Sequence, residues 1–206
     1  MSTIRKTHWQ KVYGEKQPTE VSWYQPVPER SLQLIRATGI KHGDPILDAG
    51  GGASTLVDHL LDEGYTDISV LDISGNALER SRARLGEAGQ DVHWIESDVI
   101  DFQPLRRYAL WHDRAGFHFL TDSADRDRYI DVVYKSLLPK GHFVLATFGP
   151  QGPKRCSGLD IRRYGIEQLQ ELFGPRFELR GHEIDEHETP MGATQQFLFS
   201  RWQSQS

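Results

Sequence analysis

Apolar residues along this chain fall in short dense runs, separated by stretches with helical spacing. From Glu29 a helix with apolar positions Leu32, Leu34, Ile35 and Ala37 is predicted to end at Gly39, and after the Gly43-Asp44-Pro45 turn comes a short strand over 46–48. A glycine run follows, then a helix over about 54–63 with Leu56, Leu60 and Leu61 on one face. The next strand, 67–72, leads into a helix over 74–86 that Ser74 can cap. Further strands are predicted over 92–96 and 108–113, then a long helix opened by the acid-rich 122–127 and reaching Leu138. Pro139-Lys140-Gly141 reads as a turn, and 142–148 is the most strand-like run of the chain. Five strands separated by helical crossovers imply a parallel, doubly wound α/β sheet with helices on both faces.

The two ends depart from this alternation. After a Gly/Pro-rich loop at 149–158, a helix over 166–173 precedes two runs, 177–186 and 194–202, that face each other across Thr189-Pro190-Met191-Gly192 as a hairpin. At the other end, residues 1–28 carry Trp9, Tyr13, Trp23 and Tyr24, too aromatic for a disordered tail, and are predicted to pack as a lid on a single domain spanning 1–206.

The 206 residues suffice for one packed core. No apolar run approaches the roughly 18 residues of a membrane span, and the first residues lack the apolar stretch of a signal peptide, so a cytoplasmic protein is expected. Cys156 is the single cysteine, which excludes an internal disulfide and a thiolate metal site. Nine histidines are scattered, and no metal site is expected. A formal charge of -5 gives no basic face for nucleic acid, so neither nucleic acid nor membrane is an expected partner.

Chemistry concentrates at the strand ends. In Asp48-Ala49-Gly50-Gly51-Gly52 an acid closes the first strand and glycines let the backbone approach a ligand at a helix N-terminus. Thr55 stands where a third glycine would complete Gly-x-Gly-x-x-Gly, so the pattern is Asp-x-Gly-x-Gly. Asp72 ends the second strand 24 residues after Asp48, the place for a carboxylate that accepts from both ribose hydroxyls, with Ile73 against the base. Ser97, Asp98 and Val99 end the third strand, where the acid can accept from an adenine amino group. Together these positions favour S-adenosylmethionine (SAM), whose cationic amine Asp48 can hold, over a nicotinamide cofactor.

The strand pattern with its terminal hairpin, and these motifs, resemble class I Rossmann-like SAM-dependent methyltransferases. That resemblance implies a seven-stranded sheet of order 3-2-1-4-5-7-6 with the last strand antiparallel. The segment Trp111-His112-Asp113-Arg114 resembles the Trp-Asp-Arg-Gly region of thiopurine S-methyltransferase-like proteins. The Trp9-to-Tyr13 stretch is similar to small bacterial methyltransferases grouped with citrate synthase and elongation-factor lysine methyltransferases. The switch point between the first and fourth strands places residues 111–120 beside the reacting centre. His118 is the first candidate base, Asp113 and Arg114 candidate anchors, and Trp23 part of an aromatic cover over the sulfonium. The expected acceptor is a small molecule, possibly a thiol or other soft nucleophile; the alternatives are a protein lysine or a SAM-binding protein without catalysis.

Overall fold

A computed structural model describes residues 2–205; Met1 and Ser206, within the single domain expected over 1–206, lie outside the described residues. The strands are β1 (Ile46–Ala49), β2 (Ile68–Asp72), β3 (His93–Glu96), β4 (Tyr108–Arg114), β5 (Leu137–Phe148), β6 (Arg155–Cys156), β7 (Leu159–Asp160), β8 (Phe177–Glu188) and β9 (Thr194–Ser204). The helices are α1 (Ser2–Glu15), α2 (Glu29–Arg36), α3 (Leu56–Asp62), α4 (Gly75–Leu85), α5 (Ser123–Ser136) and α6 (Ile166–Phe173). The main sheet runs β3-β2-β1-β4-β5-β9-β8. The first five strands are parallel, and β9 pairs antiparallel with both β5 and β8. With the main-sheet strands alone counted, this is the expected 3-2-1-4-5-7-6 order.

Alternation along the strands sends side chains to two cores. Ile46, Ile68, Val70, Leu110 and Val144 meet Leu32 and Ile35 of α2, Leu56, Val57 and Leu60 of α3, and Leu78 of α4. Leu47, Leu71, Trp111, Phe143 and Leu145 meet Tyr129, Ile130 and Val133 of α5 and Leu169 and Phe173 of α6. The central parallel strands β1, β2 and β4 are therefore covered on both faces, while β3 at the edge is largely open.

Two predicted segments differ. Strand β5 begins at Leu137, which pairs with Tyr108 before the register jumps to Leu110 and His142. The predicted turn at 139–141 lies inside this irregular pairing, with Lys140 at φ 59°. The loop at 149–158 is partly ordered as half of the β6–β7 ribbon.

The N-terminal segment holds a helix that periodicity does not reveal. The inward face of α1 consists of Arg5, His8, Trp9, Val12 and Tyr13, at helical spacing but with two polar members. Polar bonds fix it: Gln10 Oε1 accepts from Ser74 Oγ (3.1 Å) and from the Asn76 amide (3.1 Å) at the start of α4.

Candidate active site

The carboxyl ends of β1 to β4 and the underside of α1 enclose a cavity with two adjoining lobes. The first, about 830 Å³ including its mouth, is lined by Asp72, Ile73, Ser97, Asp98 and Val99, by Asp113 to Gly116, and from above by Arg5, Trp9, Tyr13 and Trp23. The second, about 600 Å³, is lined by Asp48, Gly51, Ser31 and His112. Tyr13, Trp23, Gly50 and Arg114 belong to both walls.

Asp72 is held by the chain it organises. Its Oδ2 accepts from the Gly52 amide (3.1 Å) and its Oδ1 from the Ser74 amide (2.8 Å). Burial pushes its carboxyl up to about 7, against the pull of those amides. Gly52 has no positive φ; a Cβ there would lie 2.5 Å from Asp72 Oδ2 and 2.6 Å from Ala77 Cβ. Its glycine is thus required by this chain's own packing, and Gly52 lies outside both lobes. Gly50 has φ 72°, a left-handed conformation that favours glycine. A Cβ on Gly51 would overlap the Asp48 carboxylate.

Asp48 stands on the second lobe, apart from the acids of the first. Its Oδ1 is 2.7 Å from His112 Nδ1, whose Nε2 is 2.9 Å from Ser31 Oγ. All three residues are buried, and Asp48 Oδ2 has no partner. Spacing alone gave no sign of His112 or Ser31; the signal is the register that places His112 directly opposite Asp48.

Asp98 Oδ2 lies 3.0 Å from Arg5 Nη2, while Arg5 Nη1 donates to Asp125 Oδ2 at 2.8 Å. One arginine of α1 thereby ties the cover to the end of β3 and to α5. Trp9 extends the cover, edge-on to Trp23 (5.7 Å) and to Phe119 (5.0 Å).

Asp113 reaches the first lobe, but its oxygens are engaged within the chain. Oδ1 accepts from the Gly116 (2.7 Å) and Phe117 (3.3 Å) amides, and Oδ2 from the Tyr129 hydroxyl (2.5 Å). These bonds hold the bend at Ala115, φ 72°. Burial raises the Asp113 carboxyl to about 6. His118 is fully buried and lines neither lobe. Its Nδ1 accepts from the Phe148 amide (3.3 Å), and burial depresses its imidazole to about 3. The expected base is thus placed behind the cavity wall, because the 3-10 turn over Phe117–Phe119 carries it into the core. Cys156 lines the first lobe, and burial pushes its thiol up to about 11.

This geometry has known counterparts. Residues 46–141 match the family model for a methyltransferase domain. The chain has the Rossmann-like α/β fold seen in SAM-dependent methyltransferases. The matched residues run from β1 into the start of β5. Among curated proteins it is 27% identical over 96 residues to the mouse eEF1A lysine and N-terminal methyltransferase, covering 47% of this chain but 14% of that protein. It is 24% identical over 191 residues to the zebrafish EEF1A lysine methyltransferase 2, covering 84% of this chain and 75% of that one. A solved SAM-dependent methyltransferase from Anabaena variabilis superposes with a TM-score of 0.76 at 17% identity, over 98% of this chain and 94% of the other. Among the described residues, no helix is long and apolar enough to cross a membrane, and no His/Cys/Asp/Glu group could hold a metal ion.

Proposed function

We propose that the chain transfers a methyl group from SAM to a small-molecule acceptor with a soft nucleophile, such as a thiol. The observation that carries this reading is the cavity in which Asp72, at the end of β2, and Asp98, just past the end of β3, lie beneath the aromatic cover of α1. The residues present fit the cofactor. Asp72, Ile73, Ser97, Asp98 and Val99 would hold the adenosine, with the remaining lone pairs of Asp72 facing the ribose diol. Asp48 Oδ2, buried without a partner on the second lobe, would take the cationic amine of the methionine end. Gly50 and Gly51 supply the close backbone between those two ends.

SAM, when bound, supplies a methyl carbon that already bears a good leaving group. The chain's work is then alignment and exclusion of water. The acceptor's lone pair closes on the methyl carbon, the carbon–sulfur pair remains on sulfur, and any proton on the nucleophile passes to solvent. Among the described cavity residues no side chain is free to act as a strong base. Asp113 is saturated with hydrogen bonds, His118 lies behind the wall, and the Cys156 thiol is held protonated by burial. That favours an acceptor arriving with its lone pair exposed. His118 and Asp113 are assigned here to positioning the 114–117 bend rather than to proton transfer.

The lysine methyltransferases among the relatives motivate a second reading, a protein lysine as acceptor. A lysine arrives protonated, near its ordinary pKa of about 10.4, and must lose its proton on entry. Labelled SAM incubated with a metabolite panel and, separately, with cell lysate separates the two. Label in a small product supports the proposal, and label confined to protein overturns it.

A further inference from the structure

Among the described residues Arg114 is the one cation in the wall shared by the two lobes, and although Asp185 and Asp48 act on it through space, no carboxylate is within ion-pair distance of it. Nη1 donates to the Trp23 carbonyl (2.9 Å), and the guanidinium lies 4.8 Å from the centre of the Phe197 ring. Nε and Nη2 are buried with no hydrogen-bond partner, and among the described residues no carboxylate forms an ion pair with it. A desolvated guanidinium with free donors is costly unless a ligand completes it. Its planar fork is shaped for an anion held by two donors.

We propose that Arg114 is an anion-binding site at the junction of the two lobes, and that the anion is a carboxylate or comparable negative group of the methyl acceptor. The inference rests on the methyltransferase reading and narrows its substrate to anionic molecules. Its neighbours favour the acceptor as the source. Its contacts are the Trp23 carbonyl, the Phe197 ring of β9 and the nearby Cys156 of β6, none of them among the acids assigned to adenosine. Trp9, Trp23 and Phe119 line the same space with ring edges and faces, so a planar body attached to the anion fits there. The other possible source of the same chemistry is the carboxylate of the methionine end of SAM.

Benzoate and benzamide, isosteres that differ in charge, serve as probes. Each is titrated calorimetrically into the protein saturated with S-adenosylhomocysteine (SAH). Benzoate is expected to bind at least tenfold more tightly than benzamide, and Arg114→Met to abolish that preference. Arg114→Met should also melt no lower than wild type without ligand, because it removes a buried charge without an ion-pair partner. Should it fail to fold, Arg114→Lys replaces it, with the preference expected to fall several-fold. SAH and 5′-methylthioadenosine, which lacks the amino-acid end, distinguish the sources. A tenfold loss of SAH affinity in the variant, with methylthioadenosine unaffected, assigns the anion to the cofactor and overturns the acceptor assignment. Equal binding of benzoate and benzamide by wild type, or an unchanged preference in the variant, overturns the anion site itself. Failure of wild type to bind SAH is a separate result that sinks the cofactor reading, and benzoate binding without SAH then still reads the anion site.

Discussion

His112 Nδ1 lies 2.7 Å from Asp48 Oδ1, and the two residues are direct partners in the β1–β4 register. Parallel pairing at the sheet's switch point therefore places an imidazole against the acid of the glycine motif, and Ser31 of α2 closes the chain of bonds at 2.9 Å. The carboxylate's other oxygen, Oδ2, is buried without a partner beside Gly51 in the wall of the second lobe.

Replacing His112 with Leu strands a buried carboxylate oxygen and a buried hydroxyl. We expect a loss of about 1–3 kcal/mol in stability, read by denaturant unfolding, because an unsatisfied buried polar group carries that cost. SAH affinity should fall with it, since Asp48 loses its orientation. Stability equal to wild type would show that the Asp48–His112 bond organises nothing.

The Asp72 carboxyl sets a pH dependence. Its folded value, pushed up by burial to about 7, stands above its unfolded value. The ligand-free fold thus retains this proton more strongly than the unfolded chain, and that stability, full below about pH 4, is lost as pH rises through about 7. Cofactor binding has the opposite sign, because ribose hydroxyls donate to the ionised carboxylate. SAH affinity should rise between pH 6 and pH 8 in wild type and be flat in Asp72→Asn, as followed by calorimetry in two buffers of different ionisation heat. A flat wild-type profile would separate Asp72 from the ribose.

Gly52→Ala should destabilise the fold even without ligand. The added methyl meets Asp72 Oδ2 at 2.5 Å and Ala77 Cβ at 2.6 Å, so β2 or α4 must shift. Overpacking of this kind costs typically about 1–3 kcal/mol, measured as a lowered Tm. An unchanged Tm would show that the turn yields freely.

Most of the fold was legible because its signals are local. Strands β1 to β4 are short runs with an acid within two residues of their ends, α4 announces its own cap at Ser74, and the hairpin is marked by Thr189 to Gly192. The first-lobe acids Asp72 and Asp98 were legible for the same reason, since Asp72 ends β2 and Asp98 follows closely on β3. Helix α1 was not, because its inner face spends Arg5 and Gln10 on polar latches and shows too few apolar residues to register as periodic. His112 and Ser31 matter only through register and packing, which no spacing encodes. His118 misled because its neighbours in sequence, Asp113 and Arg114, face the cavity while the turn carries it inward.

The cover hinges on few contacts, which makes it testable apart from the core. Arg5→Gln removes the ties to Asp98 and Asp125 and should weaken docking of α1 by about 1 kcal/mol. Amides of α1 should then exchange about fivefold faster while those of β4 and β5 do not change. Removing residues 1–25 should leave the sheet folded by circular dichroism, weaken SAH binding and abolish turnover. Full turnover without them would show that α1 is no lid, and gross unfolding that it is part of the core.

The central claim is that this cavity binds SAM through the acid ending β2, and calorimetric titration of SAH into wild type and Asp72→Ala tests it most directly. We expect one site per chain in wild type and a loss of about 2–3 kcal/mol in the variant, the scale of charge-assisted hydrogen bonds, with the circular dichroism spectrum unchanged. No binding by wild type, or equal affinity in a folded Asp72→Ala protein, would contradict the account.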